Sequence, residues 1–540
     1  MNKLFTQLVE KRHLDDAFLH PKYENLTDPF TLPDMDKATD RIKKAKSTAE
    51  KILIYGDYDV DGVTASTLME QALILSGIKP ENIEIMLPDR FADGYGMSPR
   101  LIERAKDHQV NLIITVDCGS RNHAIVKELN TLKINTIITD HHECADTLPD
   151  AGAIINPHRK DHPTESLQNL AGVGVAFKLA QALTKQNLIE DGQEKWLLDL
   201  VLLGTICDNM LLTGENRILG YYGTKVLAKT RRPGLRELMR TAGVKSITSE
   251  SIGFQIGPRL NAAGRLETAE LSLKLLRTAS APEAATIAVK LEELNKKRRT
   301  EQRTATDEII HRKRTTEPVI IETGHWHEGI LGIVAGRLVE KYHQPAFVLT
   351  EVEQGILKGS GRSFGDFNLS DALNYAKDAI IGGGGHAGAA GVRLDFKNLY
   401  QFREKINEYY KSLHLINQED YFKNHADLET TDLGDISLEL IEDLKLLEPF
   451  GAGNEEPIIR LKNPEILETK RMGDQGQHLR LDLKGKDGKI LKCVAFSAPN
   501  HWFELDNYDP HDFLIKPVEN EWNGTRSAEA RLIDVINMGG

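Results

Sequence analysis

Short apolar runs alternate with amphipathic stretches over the first third of the chain. KILIY (51–55), IEIML (83–87), NLIITV (111–116), INTIIT (134–139) and AII (153–155) have the length and composition of strands. Between them lie stretches with helical spacing. Residues 38–50 are rich in Ala, Lys and Glu, without Pro or Gly. Residues 63–77 place Val63, Leu68, Ala72 and Leu75 at helical intervals. Residues 98–107 open with Ser98 as cap and Pro99 at the first position, and 121–129 make a further helix. Strands alternating with helices at this spacing predict a parallel sheet covered on both faces. Past residue 165 the pattern turns mostly helical, over 171–186, 193–206 and 217–229. Residues 282–313 are highly charged and free of glycine, which predicts a rigid helical connector. A second α/β pattern starts with PVIIE (318–322) and FVLT (347–350), takes in the glycines at 382–385, and includes an amphipathic stretch at 400–413. From about 459 come short alternating runs, IIRL, HLRLDL, KILKCVAF, FLIKPVEN and SAEARLIDVI. Evenly spaced short strands with polar turns predict a small β-barrel.

A chain of 540 residues exceeds what one core fills, so several domains are expected. Apolar residues at 40% and charged residues at 27% fit an ordinary globular protein. No run approaches the ~20 apolar residues of a membrane helix, and MNKLFTQLVEKRHLDD reads as neither signal nor transit peptide. Four cysteines with no CxxC pair point away from a disulfide scaffold and towards the cytoplasm. Cys118, Cys144 and Cys207 adjoin the acidic motifs below, where small packing residues are expected. A net charge of −12 argues against a nucleic-acid binder unless charge is segregated. Basic clusters do occur, at Lys229, Arg231 and Arg232, at Lys296, Lys297, Arg298, Arg299 and Arg303, and at Arg312, Lys313 and Arg314. Each also reads as a solvated helix face.

Position changes this picture more than composition does. KILIY runs into Asp57, Asp59 and Asp61, NLIITV into Asp117, and INTIIT into Asp140, His141, His142 and Glu143. In an open parallel sheet ligands bind beyond the carboxyl ends of the strands, so these groups should share one crevice. Any one aspartate after a strand reads as a helix cap or turn residue. Together the carboxylates would repel one another unless a hard cation joined them, and carboxylate with imidazole suits Mn²⁺ or Mg²⁺. A calcium loop is excluded, because the twelfth position from Asp57 is Leu68 and a strand precedes the motif. Asp208, in LLGTICDNM, is either a cap or a ligand, and periodicity alone favours the cap. GPRLNAAGR alone reads as a tight loop between lobes, and the glycine run as a turn.

GDYDVDG, VDCG, DHH and the aspartate of GTICDNM form the motif series of the DHH phosphoesterases. DRFADGYGMS, INPHR, FQIGPRLNAAGRL, WHEGILGIVAGRL, KGSGRS, GGGGHAGAAG and LEPFGAGNEEP follow in order. The chain resembles that superfamily and, within it, the RecJ family, over roughly residues 45–537. The resemblance implies an N-terminal segment (1–45), a DHH metal-binding lobe (46–215), a helical connector (216–315), a DHH-associated α/β lobe (316–445) and an OB-type barrel (446–540). It implies two Mn²⁺ or Mg²⁺ ions, with Asp59, Asp61, Asp117, His141 and Asp208 as ligands. Asp57 and His142 sit at the same site, His142 as ligand or facing the scissile phosphate, and Asp140 orients a histidine. It places Arg90, Ser360 and Arg362 on a 5′-terminal phosphate, and Arg259, Asn261 and Arg265 on the strand backbone. Gly384, Gly385, His386, Trp326 and His327 would line the opposite side of the cleft.

The implied activity is removal of 5′-mononucleotides from the 5′ end of single-stranded DNA, with a single-strand-binding protein and a RecQ-type helicase as partners; a monomer is the default expectation. Other readings are a DHH phosphodiesterase for short oligonucleotides or cyclic dinucleotides, and a non-catalytic strand-binding factor. Asn209, Leu211, Leu212 and Gly336 depart from the family pattern.

Overall fold

The structure is a computed structural model that describes residues 1–94, 96–312, 317–415, 418–507 and 510–537. Tyr95 of the DGYG segment and the basic Lys313 and Arg314 lie outside the described residues. Three sheets organise the described residues.

The first sheet contains β1 (Ile52–Tyr55), β2 (Ile83–Met86), β3 (Leu112–Val116), β4 (Asn135–Thr139) and β5 (Ala153–Ile155), in the order β2-β1-β3-β4-β5. All its pairings are parallel, with Ile52 opposite Leu112 and Leu112 opposite Asn135. Strict alternation divides the side chains. Ile52, Ile54, Leu112 and Ile114 enter the core on one face, and Leu53, Tyr55 and Ile113 the core on the other. This two-sided burial explains the near-continuous apolar runs. The register also sets the ends of β1, β3 and β4 side by side, so the residues that follow them meet at one edge.

The glycine-poor connector is one helix, Ala281–His311. Its basic residues are partly engaged in pairs one turn apart, such as Lys296–Glu292 at 3.7 Å and Arg303–Asp307 at 3.6 Å. Arg232 is a buried partner of Asp199 at 3.1 Å, and Arg231 covers the Trp196 ring at 3.6 Å, so that basic run is structural. GPRLNAAGR is not a loop. It forms the helix Gly257–Leu266, entered through a π-helical turn at Ile252–Ile256. Pro258 is tolerated because it falls in the first turn. Gly257 and Gly264 serve close approach, since a Cβ would lie 2.5 Å from Cys207 Sγ and 2.8 Å from the Tyr58 carbonyl respectively.

The second sheet has the order β6-β7-β8-β10-β9, from β6 (Ile320–Gly324), β7 (Ala346–Glu353), β8 (Ile356–Arg362), β9 (Gly382–Gly385) and β10 (Ala389–Asp395). The glycine run is thus a fully exposed edge strand and not a turn. The third, barrel-forming sheet comprises β11 (Leu428–Thr430), β12 (Ile459–Leu461), β13 (Glu465–Met472), β14 (His478–Lys484), β15 (Ile490–Ala495), β16 (His511–Trp522) and β17 (Thr525–Asn537). The N-terminal helix Lys3–Lys11 sends Leu4, Phe5 and Leu8 into the barrel core, joining the two ends of the chain. Buried Arg217 links lobe to barrel by donating to the carbonyls of Phe18, Leu446 and Glu448.

The unusual segment 209–212 packs on the barrel entry. Leu212 donates its N–H to the Ala452 carbonyl at 2.8 Å and its side chain blocks any Cβ at Gly451. Asn209 has φ 56°, a left-handed conformation that asparagine tolerates. Gly336 faces open space, so a serine would fit there without rearrangement. Among the described residues no helix is long and apolar enough to cross a membrane.

Candidate metal centre

The strand ends converge as the register requires. His141 Nε2 lies 3.1 Å from Asp117 Oδ1, 3.6 Å from Asp208 Oδ2 and 3.8 Å from Asp61 Oδ2. Three overlapping donor groups result: Asp57, Asp59 and Asp117; Asp61, His141 and Asp208; and Asp117, His141 and His142. Asp117 belongs to two of them, which is what a carboxylate shared by adjacent cations requires.

Each donor is aimed by backbone. Asp59 caps the helix Val60–Leu75, accepting from Gly62 N at 3.0 Å. Asp61 accepts from the N–H groups of Gly172 (2.6 Å) and Val173 (2.9 Å), at the start of the helix Gly172–Lys185. Asp117 has φ 61°, a conformation that costs a non-glycine residue on the order of 1 kcal/mol and so marks an imposed geometry. Asp208 stands at the C-terminal end of the helix Leu198–Cys207. It is the C-cap residue, its backbone N–H donating to the Gly204 carbonyl at 2.9 Å, but its carboxylate gains nothing from the negative end of a helix, and the contact with His141 accounts for the side chain's place.

Electrostatics leave the cluster short of positive charge. Burial, then Asp59, pushes Asp57 up to about 8. Burial, then Asp59, lifts Asp208 to about 7 against the pull of His142. Asp61 is raised well above the carboxylate range by burial and Asp208, and Asp117 by burial and Asp61. Burial and the neighbouring His142 lower His141 to about 4, keeping its ring neutral and its Nε2 free to donate to a cation. Among the described residues, buried Asp57 Oδ1 and Asp117 Oδ1 have no hydrogen-bond donor. Orphaned, mutually repelling carboxylate oxygens with a neutral imidazole are the donor set of Mn²⁺ or Mg²⁺, so the residues present fit the metals.

Asp140 stands apart from this set. Burial opposes its charge, but the His142 ring (2.8 Å) and the N–H groups of Ser120 (2.9 Å) and His141 (2.8 Å) outweigh it and lower its pKa. It therefore orients His142. The same bond, working against burial, raises His142 to about 9. Cys118, Cys144 and Cys207 have thiols raised by burial and belong to none of the donor groups.

Several glycines were missed as site residues. A Cβ on Gly172 would lie 2.5 Å from Asp117 Cβ, and one on Gly204 would lie 2.5 Å from Asp61 Oδ1. The visible signal was a glycine inside or opening an apolar helix, which is costly unless close approach demands it. Gly172→Ala should destabilise the protein by about 1–3 kcal/mol and weaken Mn²⁺ binding together. Urea denaturation and Mn²⁺ titration of the variant measure both, and unchanged values would remove Gly172 from the site.

Family models match over the same regions: the DHH family N-terminal domain at 51–205, the DHHA1 domain at 316–412 and the RecJ OB domain at 427–534. The single-stranded-DNA-specific exonuclease RecJ of Bacillus subtilis is 36% identical over 98% of this chain and 67% of its own length. The protein of that name from Escherichia coli is 32% identical over 94% of this chain and 90% of its own. The chain belongs to the RecJ family. A crystal structure of RecJ from Thermus thermophilus in complex with Mn²⁺ superposes with a TM-score of 0.82 at 28% identity, over 99% of this chain and 76% of that one. A second structure from the same organism contains Mg²⁺.

Beside the metal centre this RecJ-family chain gathers arginines. The guanidinium of Arg90 lies 4.9 Å over the Tyr58 ring. Arg265 is lowered to about 9 by burial, then by Arg90, Arg298 and Arg362, and Arg362 is lowered by burial and Arg90. Among the described residues Arg90, Arg265 and Arg362 make no ion pair with a carboxylate. Ser360 Oγ accepts from Arg362 Nη1 at 3.1 Å, and a Cβ on Gly332 would meet Arg362 Nη2 at 2.8 Å. Arg259 is not brought in: it is ion-paired with Glu292 at 2.5 Å and braces the connector helix. His327 makes an edge contact with Phe91 (centroids 5.4 Å), closing the lobes over the arginines. Trp326 is tied to Glu308 at 2.9 Å. His386 sits exposed between β9 and β10 and makes no ion pair with the cluster among the described residues. Gly384 has open space where a side chain would be, whereas a Cβ on Gly385 would lie 2.2 Å from the Ala389 carbonyl. A cleft of about 900 Å³ runs on from Asn209, lined by Asn261, Arg265, Arg298 and Lys225, and by Lys516 and Arg531, which pair with Glu456 (3.0 Å) and Glu250 (3.6 Å) of the same lining.

Proposed function

We propose that the chain is a metal-dependent exonuclease that removes 5′-mononucleotides from the 5′ end of single-stranded DNA. The observation that carries this reading is the juxtaposition of the shared-carboxylate donor groups with three unpaired arginines. Asp59, Asp61, Asp117, His141 and Asp208, with Asp57, would hold the two ions, and His142 faces the scissile phosphate. When bound, Mn²⁺ or Mg²⁺ ions neutralise charge on the phosphoryl oxygens and acidify water.

The protein's own groups do the rest. Arg90, Arg265 and Arg362, with Ser360, hold a terminal phosphate dianion and so fix which phosphodiester lies over the cluster. Water oxygen bonds to phosphorus, the P–O3′ bond breaks, and the departing 3′ oxygen takes up a proton. His142, kept cationic by Asp140, is placed to stabilise charge on the phosphoryl group. The remaining strand again ends in a 5′ phosphate, which restores the group the arginines recognise. Lys225, Arg265 and Arg298, cations of the cleft, carry the strand backbone despite the net charge of −12. A single-strand-binding protein and an unwinding helicase are the activities that would supply such a substrate, in the cytoplasm.

Hydrolysis of a uniformly labelled single strand with Mn²⁺, with and without a blocked 3′ end, tests this. Mononucleotide release that ignores the block, spares duplex and stops in chelator is expected. Tight strand binding without metal-dependent release would replace the enzyme by a strand-binding factor. Release from short oligonucleotides only would indicate the phosphodiesterase reading.

A further inference from the structure

His142 is carried differently from most of the aspartates around it. Asp59 and Asp61 belong to the start of the helix Val60–Leu75, and Asp208 closes the helix Leu198–Cys207. His142 follows the end of β4, and from there to β5 at Ala153 the chain enters no helix or strand. Yet its ring must keep one orientation if it is to face a phosphate. Asp140 Oδ1 holds the ring at Nδ1, 2.8 Å away. A ring held at one atom still swings with its backbone, so the backbone of His142 has to be fixed as well.

Asn156 supplies that restraint. β5 pairs with β4 in parallel, Thr139 opposite Ile155, and Asp140 donates its N–H to the Ile155 carbonyl at 3.1 Å. The residue after β5 therefore lies beside the segment after β4. Asn156 is fully buried there. Its Nδ2 donates to the His142 carbonyl at 2.9 Å and to Ser120 Oγ at 2.9 Å, and its Oδ1 accepts from His158 N at 2.8 Å. The His158 N–H can only donate and the His142 carbonyl can only accept, so the amide has a single orientation. Ser120 in turn donates its N–H to Asp140 Oδ2 at 2.9 Å. One uncharged side chain thus braces both the backbone of His142 and the loop that aims Asp140. Arg121 donates to the next carbonyl, Glu143, at 2.8 Å, but from an exposed side chain. Aspartate at 156 would have the same shape and no N–H to give, and alanine would make none of the three bonds.

We infer that Asn156 is a positioning residue for phosphodiester hydrolysis, which acts by fixing His142 over the scissile phosphate. The inference rests on the proposed function. Buried as it is, Asn156 cannot touch the strand or the reacting atoms. Asp59, Asp61 and Asp208 are carried by their own helices, and His141 stays tied to Asp140 through its N–H. Loss of Asn156 should therefore slow the chemical step and spare the binding of metal and strand.

The test measures kcat and KM for release from a 5′-phosphorylated oligothymidylate, and Mn²⁺ affinity by calorimetry without the strand. Asn156→Ala and Asn156→Asp should each lower kcat by roughly 10- to 100-fold, with KM and Mn²⁺ affinity within about two-fold of the unaltered chain. Ser120→Ala removes only the hydroxyl to which Asn156 donates. It should lower kcat about five-fold, and it reads the same network if the Asn156 variants fold poorly. In a His142→Ala background each of these substitutions should cost less than about two-fold, because residues that act through one group are not additive. An unchanged kcat in all three variants, an equal loss with and without His142, or a fall in Mn²⁺ and strand affinity parallel to that in kcat would overturn the positioning role while leaving the proposed function standing. Absence of metal-dependent release from the unaltered chain would overturn both.

Discussion

Replacing Asp117 with Asn should make the metal-free protein more stable and the metal-loaded one inactive. Asparagine keeps the volume and is the residue best suited to the left-handed backbone at this position (φ 61°). It removes only charge. In the metal-free protein that charge is a liability, because Asp117 is buried against Asp61, Asp59, Asp57 and Asp208 and its Oδ1 has no donor. Stability in chelator should rise by on the order of 1–3 kcal/mol.

The sign of the pH dependence follows from the same shifts. Groups whose folded pKa is raised lose their stabilising proton as pH increases through that value. Asp208 near 7, Asp57 near 8 and His142 near 9 all act this way, and His141, lowered to about 4, adds no change above its ordinary 6.5. The metal-free protein should therefore lose stability from about pH 4, where the two carboxyls would ionise in the unfolded chain, to about pH 9, with His141 offsetting part of the loss below 6.5, and the Asn variant should lose less. With Mn²⁺ the order reverses, because the ion now binds the very groups that repelled one another. Loss of a shared ligand should lower strand hydrolysis by about 10³-fold, roughly 4 kcal/mol of barrier. Thermal unfolding with chelator and with Mn²⁺, beside the hydrolysis assay, reads all three. Hydrolysis at the unaltered rate would show that Asp117 does not hold the ions.

The metal cluster was legible because parallel sheets place strand ends together. Once KILIY, NLIITV and INTIIT are read as adjacent strands, the residues after each must be neighbours. Asp208 was ambiguous because it follows a helix whose partner in the cluster lies 67 residues upstream, and one-dimensional periodicity carries no such contact. The helix Gly257–Leu266 was hidden by its own glycines. They are there for contacts with Cys207 and Tyr58, which local propensity does not see. Strand β13 escaped because Glu465–Met472 is exposed along nearly its whole length and has no apolar alternation. The N-terminal helix gave no sign that its Leu4 and Phe5 complete a core more than 400 residues away. The family resemblance placed Arg259, Arg265 and Arg362 alike on the substrate's phosphates. Only the fold separates the one neutralised by Glu292 from the two left unpaired.

The unpaired arginines lead to the second large expected effect. Arg362→Ala should abolish the preference for a 5′ phosphate while leaving hydrolysis of a 5′-hydroxyl strand nearly unchanged. Burial, and then the neighbouring arginines with Arg90 among them, lower the basicity of Arg265 and Arg362, and no carboxylate ion pair offsets this among the described residues. Such a cluster costs stability in the free protein and is offset only when a dianion enters. Each charge-assisted hydrogen bond to phosphate contributes about 1.5–3 kcal/mol, so removing Arg362 should lower kcat/KM on the phosphorylated strand by roughly 10- to 100-fold. Arg362→Lys should recover only part of this, because an ammonium cannot reproduce the planar fork that also bonds Ser360. The free variant should be no less stable than the unaltered chain, since one member of a repelling set is gone. Inorganic phosphate gives an independent reading: it should raise the melting temperature of the unaltered chain and raise that of Arg362→Ala much less. If the variant instead lost activity equally on phosphorylated and hydroxyl ends, Arg362 would act on the scissile group itself, and the terminal phosphate would have to be held by Arg90 and Arg265 alone.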